Sequence, residues 1–207
     1  MQSRSIQWGI AFSLATAYSL IMDPITTARL RLVPATAPLI ELEISDLSGF
    51  FETLGVEPIP DWPSVNLAPV LPSFRDELEK HPSWAGWLSW YWIHDGADTS
   101  HLVGGGGFKG APTDGCVEIG YETRLSYRQM GLATEAAGAQ VLWALEHDNV
   151  THVTAETHAD NVASIGVLKK LRFVHIDAES KDGLLHFERR TKAQHESAST
   201  ANRSSRS

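Results

Sequence analysis

The sequence is poor in cysteine, and its basic residues are outnumbered by acidic ones. The only cysteine among 207 residues is Cys116, which excludes an internal disulfide and a zinc cluster built on cysteines. A single cysteine also fits a reducing compartment. Lys and Arg together number 17 against 25 Asp and Glu, so the formal net charge is −8. The sequence also lacks a visible internal repeat, which argues against a repeat architecture.

The acidic excess is concentrated in the middle of the chain. Residues 1–22 carry a charge of +1 and residues 191–207 carry +2, so residues 23–190 carry −11. A body this acidic lacks the basic surface that nucleic-acid binding requires, and it suits a cationic or amine-bearing partner better. With 43% hydrophobic and 20% charged residues, the chain has the composition and length of a soluble domain with a buried core.

The two ends differ from this body. Ile6–Met22 is apolar, but it is shorter than a membrane-spanning helix and polar residues interrupt it. Three interpretations stay open for residues 1–22: an extension ahead of a start at Met22, a signal peptide with Arg4 as its positive region, or a peripheral helix. Residues 191–207 are rich in Ser, and we expect a disordered tail. The expected folded domain is 23–190, cytoplasmic and without stable membrane insertion.

Apolar periodicity predicts alternating strands and helices between the two ends. The predicted strands are Arg29–Val33, Leu88–His94, Leu102–Lys109, Cys116–Arg124, Val150–Thr157, Phe173–Ile176 and Leu184–Arg189. The predicted helices run from a Thr36 N-cap to Gly55, over Ser73–Lys80 with Ser73 as a cap, over Ala133–His147, and around Ala163–Leu171. A turn at Lys181-Asp182-Gly183 joins the last two strands. This order predicts an α/β fold with a mixed sheet.

Four tryptophans and a glycine run stand out in the centre of the chain. The tryptophans are Trp84, Trp87, Trp90 and Trp92. Core packing is their default role, and lining of a substrate pocket by part of the set is the alternative. Gly105–Gly110 spells the dinucleotide fingerprint G-x-G-x-x-G, but that fingerprint must open a helix, whereas Pro112 and a turn follow here. We therefore expect a thin or bulged strand against which something packs closely.

The segment with the most chemical content is Val117–Thr134, in which a strand leads through a short loop into a helix. The first N–H groups of a helix have no intrahelical partner, and the helix dipole adds partial positive charge there. Gly131 lets a phosphate approach the backbone, and Arg124 and Arg128 add permanent positive charge. These features favour a phosphate-bearing ligand at Gln129–Thr134. The alternative is an ordinary β-α turn with arginines on the surface.

The same helix start carries the first of several family motifs. Arg128-Gln129-Met130-Gly131-Leu132-Ala133 matches the signature Arg/Gln-x-x-Gly-x-Gly/Ala, and through it the chain resembles the GNAT superfamily of acyl-CoA N-acyltransferases. Further matches are Ala28–Leu32, Tyr121 with Tyr127, Ala133–Ala136 and Ala155–Thr157. Asn161–Phe173 resembles Asn-x-x-Ser-x-x-Val-Leu-x-Lys-x-Gly-Phe, typical of the Rim-type, ribosomal-protein N-acetyltransferase-like branch. The matches cover most of Thr27–Arg190 in family order.

The resemblance implies a GNAT-type fold: a mixed, mostly antiparallel twisted sheet flanked by helices, with two parallel strands splayed apart at the cofactor site. It implies acetyl-CoA as co-substrate, with its pantetheine arm along Tyr121–Thr123 and its pyrophosphate on the N–H groups of Gln129–Thr134. The implied cofactor-binding residues are Tyr121, Glu122, Thr123, Arg128, Gln129, Met130, Gly131, Leu132, Ala133, Thr134 and Asn161. Asn161 stands at a predicted helix start, where service as an N-cap is the alternative role.

Two positions depart from the family pattern. Arg172 stands where the family usually has Gly, so the turn before Phe173 is expected to be strained or rearranged. Leu168 stands where other GNAT branches carry a tyrosine that protonates the departing CoA thiolate, although Leu is normal for the Rim-type branch. Ser164 or water would then have to supply that proton.

Acyl transfer to nitrogen needs a neutral amine, so some group must take the ammonium proton. Glu118 and Glu156 lie on the two strands that the family opens at the cofactor, and either is a candidate general base, directly or through water. Each has two alternatives: a solvated strand residue, or a ligand for the substrate's positive charge. Backbone N–H groups on the splayed strand are the expected stabiliser of negative charge on the reacting carbonyl.

The resulting functional prediction is an N-acetyltransferase that moves the acetyl group of acetyl-CoA directly to a primary amine. The acceptor is either a protein N-terminal α-amino group or a small-molecule amine. We expect no metal, because the nine histidines are scattered, no nucleic-acid partner, and a monomer or homodimer. The rival hypothesis is a non-catalytic acyl-CoA-binding or sensor module, whose activity would not depend on Glu118 and Glu156.

Overall fold

The computed structural model describes residues 22–176 and 183–190. Its strands are β1 (Ile25–Thr26), β2 (Leu30–Pro34), β3 (Ser89–Asp95), β4 (Ser100–Phe108), β5 (Cys116–Thr123), β6 (His152–His158), β7 (Val174–Ile176) and β8 (Leu184–Arg190). Its α-helices are α1 (Ala37–Ser45), α2 (Leu47–Leu54), α3 (Leu71–Lys80), α4 (Leu132–Leu145) and α5 (Val162–Lys170). The predictions for residues 1–21, for the turn at Lys181-Asp182 and for the tail from residue 191 lie outside the described residues.

The chain divides into two compact units within β4, between Gly105 and Gly106. In the first unit the strand order is β1-β2-β3-β4, and the β1–β2 and β2–β3 pairs are antiparallel. In the second unit the order is β4-β5-β6-β8-β7, with β5 and β6 parallel and β6–β8 and β7–β8 antiparallel. This pairing confirms the predicted α/β fold with a mostly antiparallel sheet. Within the described residues, no helix is long and apolar enough to cross a membrane.

The core of the first unit is built around the aromatic strand β3. Trp90 and Trp92 lie on one face of β3 and are fully buried, and Tyr91 and Ile93 on the other face are buried as well. The ring of Phe50 packs edge-on against Tyr91, with centroids 5.1 Å apart. Burial confirms the core role for three of the four tryptophans: Trp87, Trp90 and Trp92. The fourth is partly buried and stacks on a histidine ring: Trp84 on His81.

The glycine run Gly105-Gly106-Gly107 lies inside strand β4, not at a strand-to-helix turn. A Cβ atom added to Gly105 would lie 3.0 Å from the carbonyl oxygen of Trp90. That distance is tighter than most real Cβ contacts, so a larger residue would push β3 and β4 apart. The run is therefore a close-packed strand, as predicted, and has no dinucleotide-binding geometry.

The single helix predicted between Thr36 and Gly55 is wrong, because two helices are present. Asp46 interrupts it with non-helical backbone (φ −147°, ψ 80°), and its carboxylate accepts the N–H of Gly49 at 3.1 Å as the N-cap of α2. Thr36 precedes α1, but its side chain makes no capping hydrogen bond. The predicted end at Gly55 is confirmed, since Gly55 adopts a left-handed conformation with φ 67°.

Helix α3 begins two residues before Ser73, where the sequence predicts its start. The helix begins at Leu71 and Val70 occupies the N-cap position, so Ser73 lies inside the first turn and caps nothing. Pro72 explains the early start, because proline is favoured in the first turn, where its missing N–H costs no hydrogen bond.

Helices α4 and α5 pack together in the second unit through a small residue. A Cβ atom built on Gly138 of α4 would lie 2.9 Å from a methyl carbon of Leu171, the residue that follows α5, so a larger residue there would force that side chain to shift. Ala136 and Ala137 of α4 are fully buried, and Leu168 near the end of α5 is 1% exposed. This packing holds the C-terminal end of α5 against α4.

Helix α5 ends in a left-handed residue that is not glycine. Arg172 has φ +63°, the N–H of Phe173 donates to the carbonyl of Leu168 at 3.0 Å, and the N–H of Arg172 donates to that of Lys169 at 3.0 Å. These two bonds form a Schellman motif, in which glycine is usual at the Arg172 position. The departure noted in the sequence therefore leaves the family's turn in place and strains its backbone.

Candidate active site

The parallel pair β5–β6 opens partway along its length. Its register runs from Cys116 opposite His152 to Glu118 opposite Thr154 and then stops. β5 continues to Thr123, while β6 remains paired with β8 as far as His158. The two parallel strands therefore diverge beyond Glu118, as the resemblance implies for the cofactor site.

The loop after β5 presents backbone N–H groups at a helix start. Gln129 and Gly131 have positive φ (63° and 78°), and Met130 between them does not. Such alternation turns successive N–H groups toward one side and forms an anion-binding concavity. Gly131 is the N-cap of α4, and no side chain caps that helix. The predicted segment Gln129–Thr134 therefore contains an uncapped helix start, the kind of backbone feature at which anions bind.

Basic residues hold this loop against the end of β5. The guanidinium of Arg128 donates through Nε to the carbonyl of Thr123 at 3.0 Å, and that of Arg124 lies 5.8 Å from the ring centroid of Tyr127. The hydroxyl oxygen of Thr123 is buried, and no partner for it lies in the described part of the chain. A buried hydroxyl without a partner at the end of β5 is consistent with a ligand group there.

Two carboxylates share one cation on the polar face of the sheet. Glu118 of β5 and Glu156 of β6 both pair with the ammonium group of Lys109, which lies 3.2 Å from Glu156 Oε2. The backbone N–H of Lys109 also donates to the carbonyl of Glu118 at 2.9 Å. The Lys109 side chain remains largely exposed and both carboxylate side chains are partly exposed, so a second cation can reach them from solvent.

Glu156 has a further neighbour in His186, directly opposite it on β8. Nδ1 of His186 lies 3.2 Å from Glu156 Oε1. Burial alone would raise the pKa of Glu156, but the hydrogen bond and charge of Lys109, with the charge of His186, hold its pKa below the ordinary value. Burial likewise opposes the charge of Lys109, and the two carboxylates outweigh it and raise the Lys109 pKa.

Two hydroxyl groups meet on the opposite face of the opening. Tyr121 shares a face of β5 with buried Val117 and Ile119, and its hydroxyl lies 3.3 Å from that of Ser164 in the first turn of α5. Burial raises the pKa of Tyr121, with the hydrogen bond to Ser164 acting against it. Asn161 caps α5, since its Oδ1 accepts the N–H of Ser164 at 3.1 Å.

The structure brings together most of the residues that the sequence singled out, and it adds two. Glu118 and Glu156 meet at Lys109, Tyr121 meets Ser164, and the loop from Arg128 forms the helix start. The side chain of Leu132 is buried in the core, so only its backbone can face a ligand. Glu122 and Thr123 end β5, and Ala133 and Thr134 lie in the first turn of α4. Sequence reasoning missed Lys109 and His186, whose roles depend on strand registers that no motif encodes.

Comparison with known proteins identifies related sequences. The family model described as the acetyltransferase (GNAT) domain matches residues 39–174. A Bacillus subtilis (strain 168) protein named uncharacterized N-acetyltransferase YjdG is 35% identical over 158 residues, covering 75% of this chain and 93% of that protein.

Solved structures share the fold at low sequence identity. A ribosomal-protein-S5-alanine acetyltransferase from Vibrio fischeri matches with a TM-score of 0.56 and 15% identity, over 83% of this chain and 98% of its own. RimL, a ribosomal L7/L12 α-N-protein acetyltransferase solved in complex with coenzyme A, matches with a TM-score of 0.54 and 16% identity, over 83% and 99%. At these identities the likeness is one of fold.

Proposed function

This chain belongs to the GNAT family of acetyltransferases, and on that premise we propose that it transfers the acetyl group of acetyl-CoA directly to a primary amine. The acceptor class is an amine that arrives as an ammonium ion, either a protein N-terminal α-amino group or a small molecule. The acidic body of the chain, with −11 over residues 23–190, favours such a cation.

One observation carries the proposal: a single opening between β5 and β6 has carboxylates on one face and hydroxyl groups on the other. Glu118 and Glu156 lie on the polar face, and Tyr121 and Ser164 lie on the helix side. Transfer to nitrogen needs a proton acceptor near the amine and a proton donor near the leaving sulfur. The two faces supply these two kinds of group on opposite sides of one gap.

The proposed cofactor contacts follow from the loop and from the splayed strand. When bound, acetyl-CoA supplies an activated thioester carbonyl and a sulfur that can leave. The N–H groups of Gln129–Thr134 bind its pyrophosphate, aided by the positive end of α4 and by Arg128. The stretch Tyr121–Thr123, beyond the last β5–β6 pair, lies along the rest of the molecule. Asn161 contributes from the start of α5 in addition to capping it.

The proposed role of the carboxylates is to bind the acceptor's ammonium group and then to take its proton. The ammonium group of Lys109 already pairs with both carboxylates, and this pairing supports their proposed role as a site for a primary ammonium ion. The acceptor binds there by displacing Lys109. Glu156, whose other carboxylate oxygen lies 3.2 Å from Nδ1 of His186, then takes the proton.

The test of the cofactor site is calorimetric titration of the full chain with acetyl-CoA. Gly131→Glu places a carboxylate where the pyrophosphate is proposed to bind, and Gly131→Gln carries the same backbone strain and bulk without the charge. We expect binding by the parent, loss of binding by Gly131→Glu, and a smaller loss by Gly131→Gln. A folded parent that does not bind acetyl-CoA would overturn the proposal.

The test of the reaction is release of coenzyme A with a panel of small amines and of peptides with free N-termini. We expect turnover with a cationic acceptor, and a loss of about 10²-fold or more in Glu156→Gln. Binding of acetyl-CoA without turnover of any amine, and with no effect of Glu118→Gln or Glu156→Gln, would favour the sensor module instead.

A further inference from the structure

Lys109 places a primary amine of the chain itself at the carboxylates of the opening. Its ammonium group pairs with Glu118 of β5 and lies 3.2 Å from Oε2 of Glu156 of β6. Glu118 is the last residue of β5 that pairs with β6, so the amine lies at the level where the two parallel strands begin to diverge. The proposed acceptor site therefore already contains an amine of the kind that the reaction acetylates.

The backbone of Lys109 is fixed, whereas its side chain is free to turn. The N–H of Lys109 donates to the carbonyl of Glu118 at 2.9 Å, which holds the residue beside β5 directly after the end of β4. The side chain beyond this point is 62% exposed, and a lysine stem is flexible. The ammonium can therefore change its position between the two carboxylates without any movement of the strands.

An ammonium ion is not a nucleophile, so Lys109 has to lose a proton before it can react. Burial opposes its positive charge, but the hydrogen bonds and charges of Glu118 and Glu156 outweigh burial and raise the pKa of Lys109. The same two carboxylates are the proposed bases for an acceptor amine, so the reaction of Lys109 needs no additional group. The raised pKa keeps most of the amine protonated, and we expect its reaction to be slower than that of a good acceptor.

We propose that Lys109 is a site of self-acetylation, which takes the acetyl group from bound acetyl-CoA when no acceptor amine is present. This inference rests on the proposed function and deepens it. Nζ of Lys109 gives one proton to Glu156, and the freed electron pair forms a C–N bond to the carbonyl carbon. The C–S bond breaks and its electron pair goes to sulfur. The nitrogen loses a second proton as the amide forms, and of the two protons one ends on sulfur and one in solvent.

Acetylation changes the charge of the proposed acceptor site. The acetylated side chain of Lys109 is neutral and no longer forms an ion pair, so Glu118 and Glu156 lose the cation between them. An incoming ammonium ion then has no competitor for the carboxylates. We therefore expect the acetylated protein to bind a cationic acceptor more tightly than the unmodified protein does.

The test incubates the full chain with acetyl-CoA in the absence of any amine and follows each lysine by mass spectrometry of peptides. Lys80 of α3 is the matched control, because its side chain is 63% exposed and pairs with Glu77 at 2.9 Å. We expect Lys109 to be acetylated at least about 10²-fold faster than Lys80, since a positioned amine reacts within one molecule. The rate constant for Lys109 should not depend on the protein concentration.

Two variants separate transfer within the site from chemical acetylation in solution. Gly131→Glu should lose acetyl-CoA binding, and its Lys109 should then be acetylated no faster than Lys80. Glu156→Gln retains the shape of the side chain but removes the proposed base, so acetylation of Lys109 should slow about tenfold or more.

Kinetics after pre-incubation with acetyl-CoA test the consequence for the acceptor. KM for a cationic amine should fall about two- to fivefold in the parent, the range typical of losing one exposed ion pair. The same treatment should change nothing in Lys109→Arg, because a guanidinium group stays protonated and takes no acetyl group.

Each other outcome decides against the inference. Acetylation of Lys109 no faster than that of Lys80, in a parent that acetylates added amines, overturns it and leaves the proposed function intact. A rate that rises with protein concentration shows transfer between copies and overturns self-acetylation. An unchanged KM after complete acetylation of Lys109 overturns its competition with the acceptor. A parent that acetylates neither Lys109 nor any added amine overturns this inference together with the proposed function.

Discussion

The ammonium group of Lys109 lies 3.2 Å from Oε2 of Glu156, across the opening of the parallel strand pair. The same ammonium pairs with Glu118, so one cation lies between two carboxylates and offsets part of their mutual repulsion. Because Lys109 follows the end of β4 and its backbone N–H bonds to Glu118, the chain itself carries this cation to the site. The charge state of the proposed base therefore depends on a residue outside every family motif.

Replacing Lys109 with Met should shift the pH profile of the reaction. Lys109 holds the pKa of Glu156 below its ordinary value against the opposing effect of burial, so its removal raises that pKa. The general base works in its deprotonated form, so activity is then lost at a higher pH as the solution is acidified. The acidic limb of kcat/KM therefore moves to higher pH. KM for a cationic amine should fall at the same time, because the competing ammonium is gone. Steady-state kinetics across pH measures both effects.

The control for Lys109 is Lys109→Arg, which keeps the charge and changes only its shape. This variant should keep the acidic limb near that of the parent. An unchanged pH profile in Lys109→Met would show that Glu156 is not the group that titrates in the reaction.

A buried carboxyl in the first unit makes stability depend on pH. Glu43 is 1% exposed and accepts from Trp62 Nε1 at 2.8 Å and from the Tyr91 hydroxyl at 2.5 Å. Burial outweighs these two hydrogen bonds and raises the pKa of Glu43 to about 7. Between the unfolded value near 4.5 and pH 7 the folded state binds the extra proton, so stability should fall by about 3 kcal/mol as pH rises through that window.

Glu43→Gln should remove this slope. Urea unfolding at pH 5 and at pH 8 gives the free energy of unfolding of both proteins. The value for the variant minus that for the parent should increase by about 3 kcal/mol between the two pH values. Glu41→Gln is the matched control, because Glu41 lies on the same helix, is exposed, and pairs with Arg75 at the surface. Equal slopes in the parent and in Glu43→Gln would mean that Glu43 is ionised at pH 5 as well.

The left-handed residue at the end of α5 offers a stabilising substitution. Arg172 adopts φ +63°, which costs about 1 kcal/mol or more for a residue with a Cβ atom, and glycine escapes this cost. Burial and the nearby charge of Arg172 both lower the pKa of Arg189, so the substitution also removes a like-charge contact. Arg172→Gly should therefore raise the free energy of unfolding by about 1 kcal/mol.

Lys170→Gly is the opposite case in the same helix. Lys170 is the last residue of α5, so glycine there adds flexibility without relieving a positive φ and should cost up to about 1 kcal/mol. Urea unfolding of both variants checks the pair. If Arg172→Gly is less stable than the parent, the arginine side chain contributes more to the free energy of unfolding than the backbone strain costs.

The sequence predicts the local backbone of the site better than it predicts the contacts between its side chains. The loop at Gln129–Thr134 was predictable because a strand, a glycine and a helix start follow one another locally, and local order determines where free N–H groups lie. The break at Asp46 was missed because the apolar pattern continues through it, while the aspartate caps a second helix. Hydrophobic periodicity alone does not reveal such a cap.

The side-chain contacts of the site depend on pairings between distant segments. His186 meets Glu156 only because β8 returns antiparallel beside β6 with those two residues opposite each other. A shift of one residue in that register would turn His186 to the other face of the sheet. The sequence could nominate Glu118 and Glu156 by family position, but it held no information on which cation would lie between them.

Asn161 is the residue for which the sequence left two roles open, and one pair of variants separates them. Its Oδ1 accepts the N–H of Ser164 at 3.1 Å, so Asn161→Ala should lower the free energy of unfolding by about 1 kcal/mol through loss of the cap. Asn161→Asp keeps an oxygen at the capping position and replaces only the amide nitrogen. Its stability should stay close to that of the parent.

Acetyl-CoA binding by the same two variants tests the second role. If the amide of Asn161 also donates to the cofactor, Asn161→Asp removes that donor and adds a negative charge beside a polyanion. We expect its affinity for acetyl-CoA to fall about tenfold in calorimetry while the fold is intact, which corresponds to the loss of about 1.4 kcal/mol. Parent-like affinity in Asn161→Asp would restrict Asn161 to the cap that the structure shows, and the cofactor would then be held at the start of α4 without help from α5.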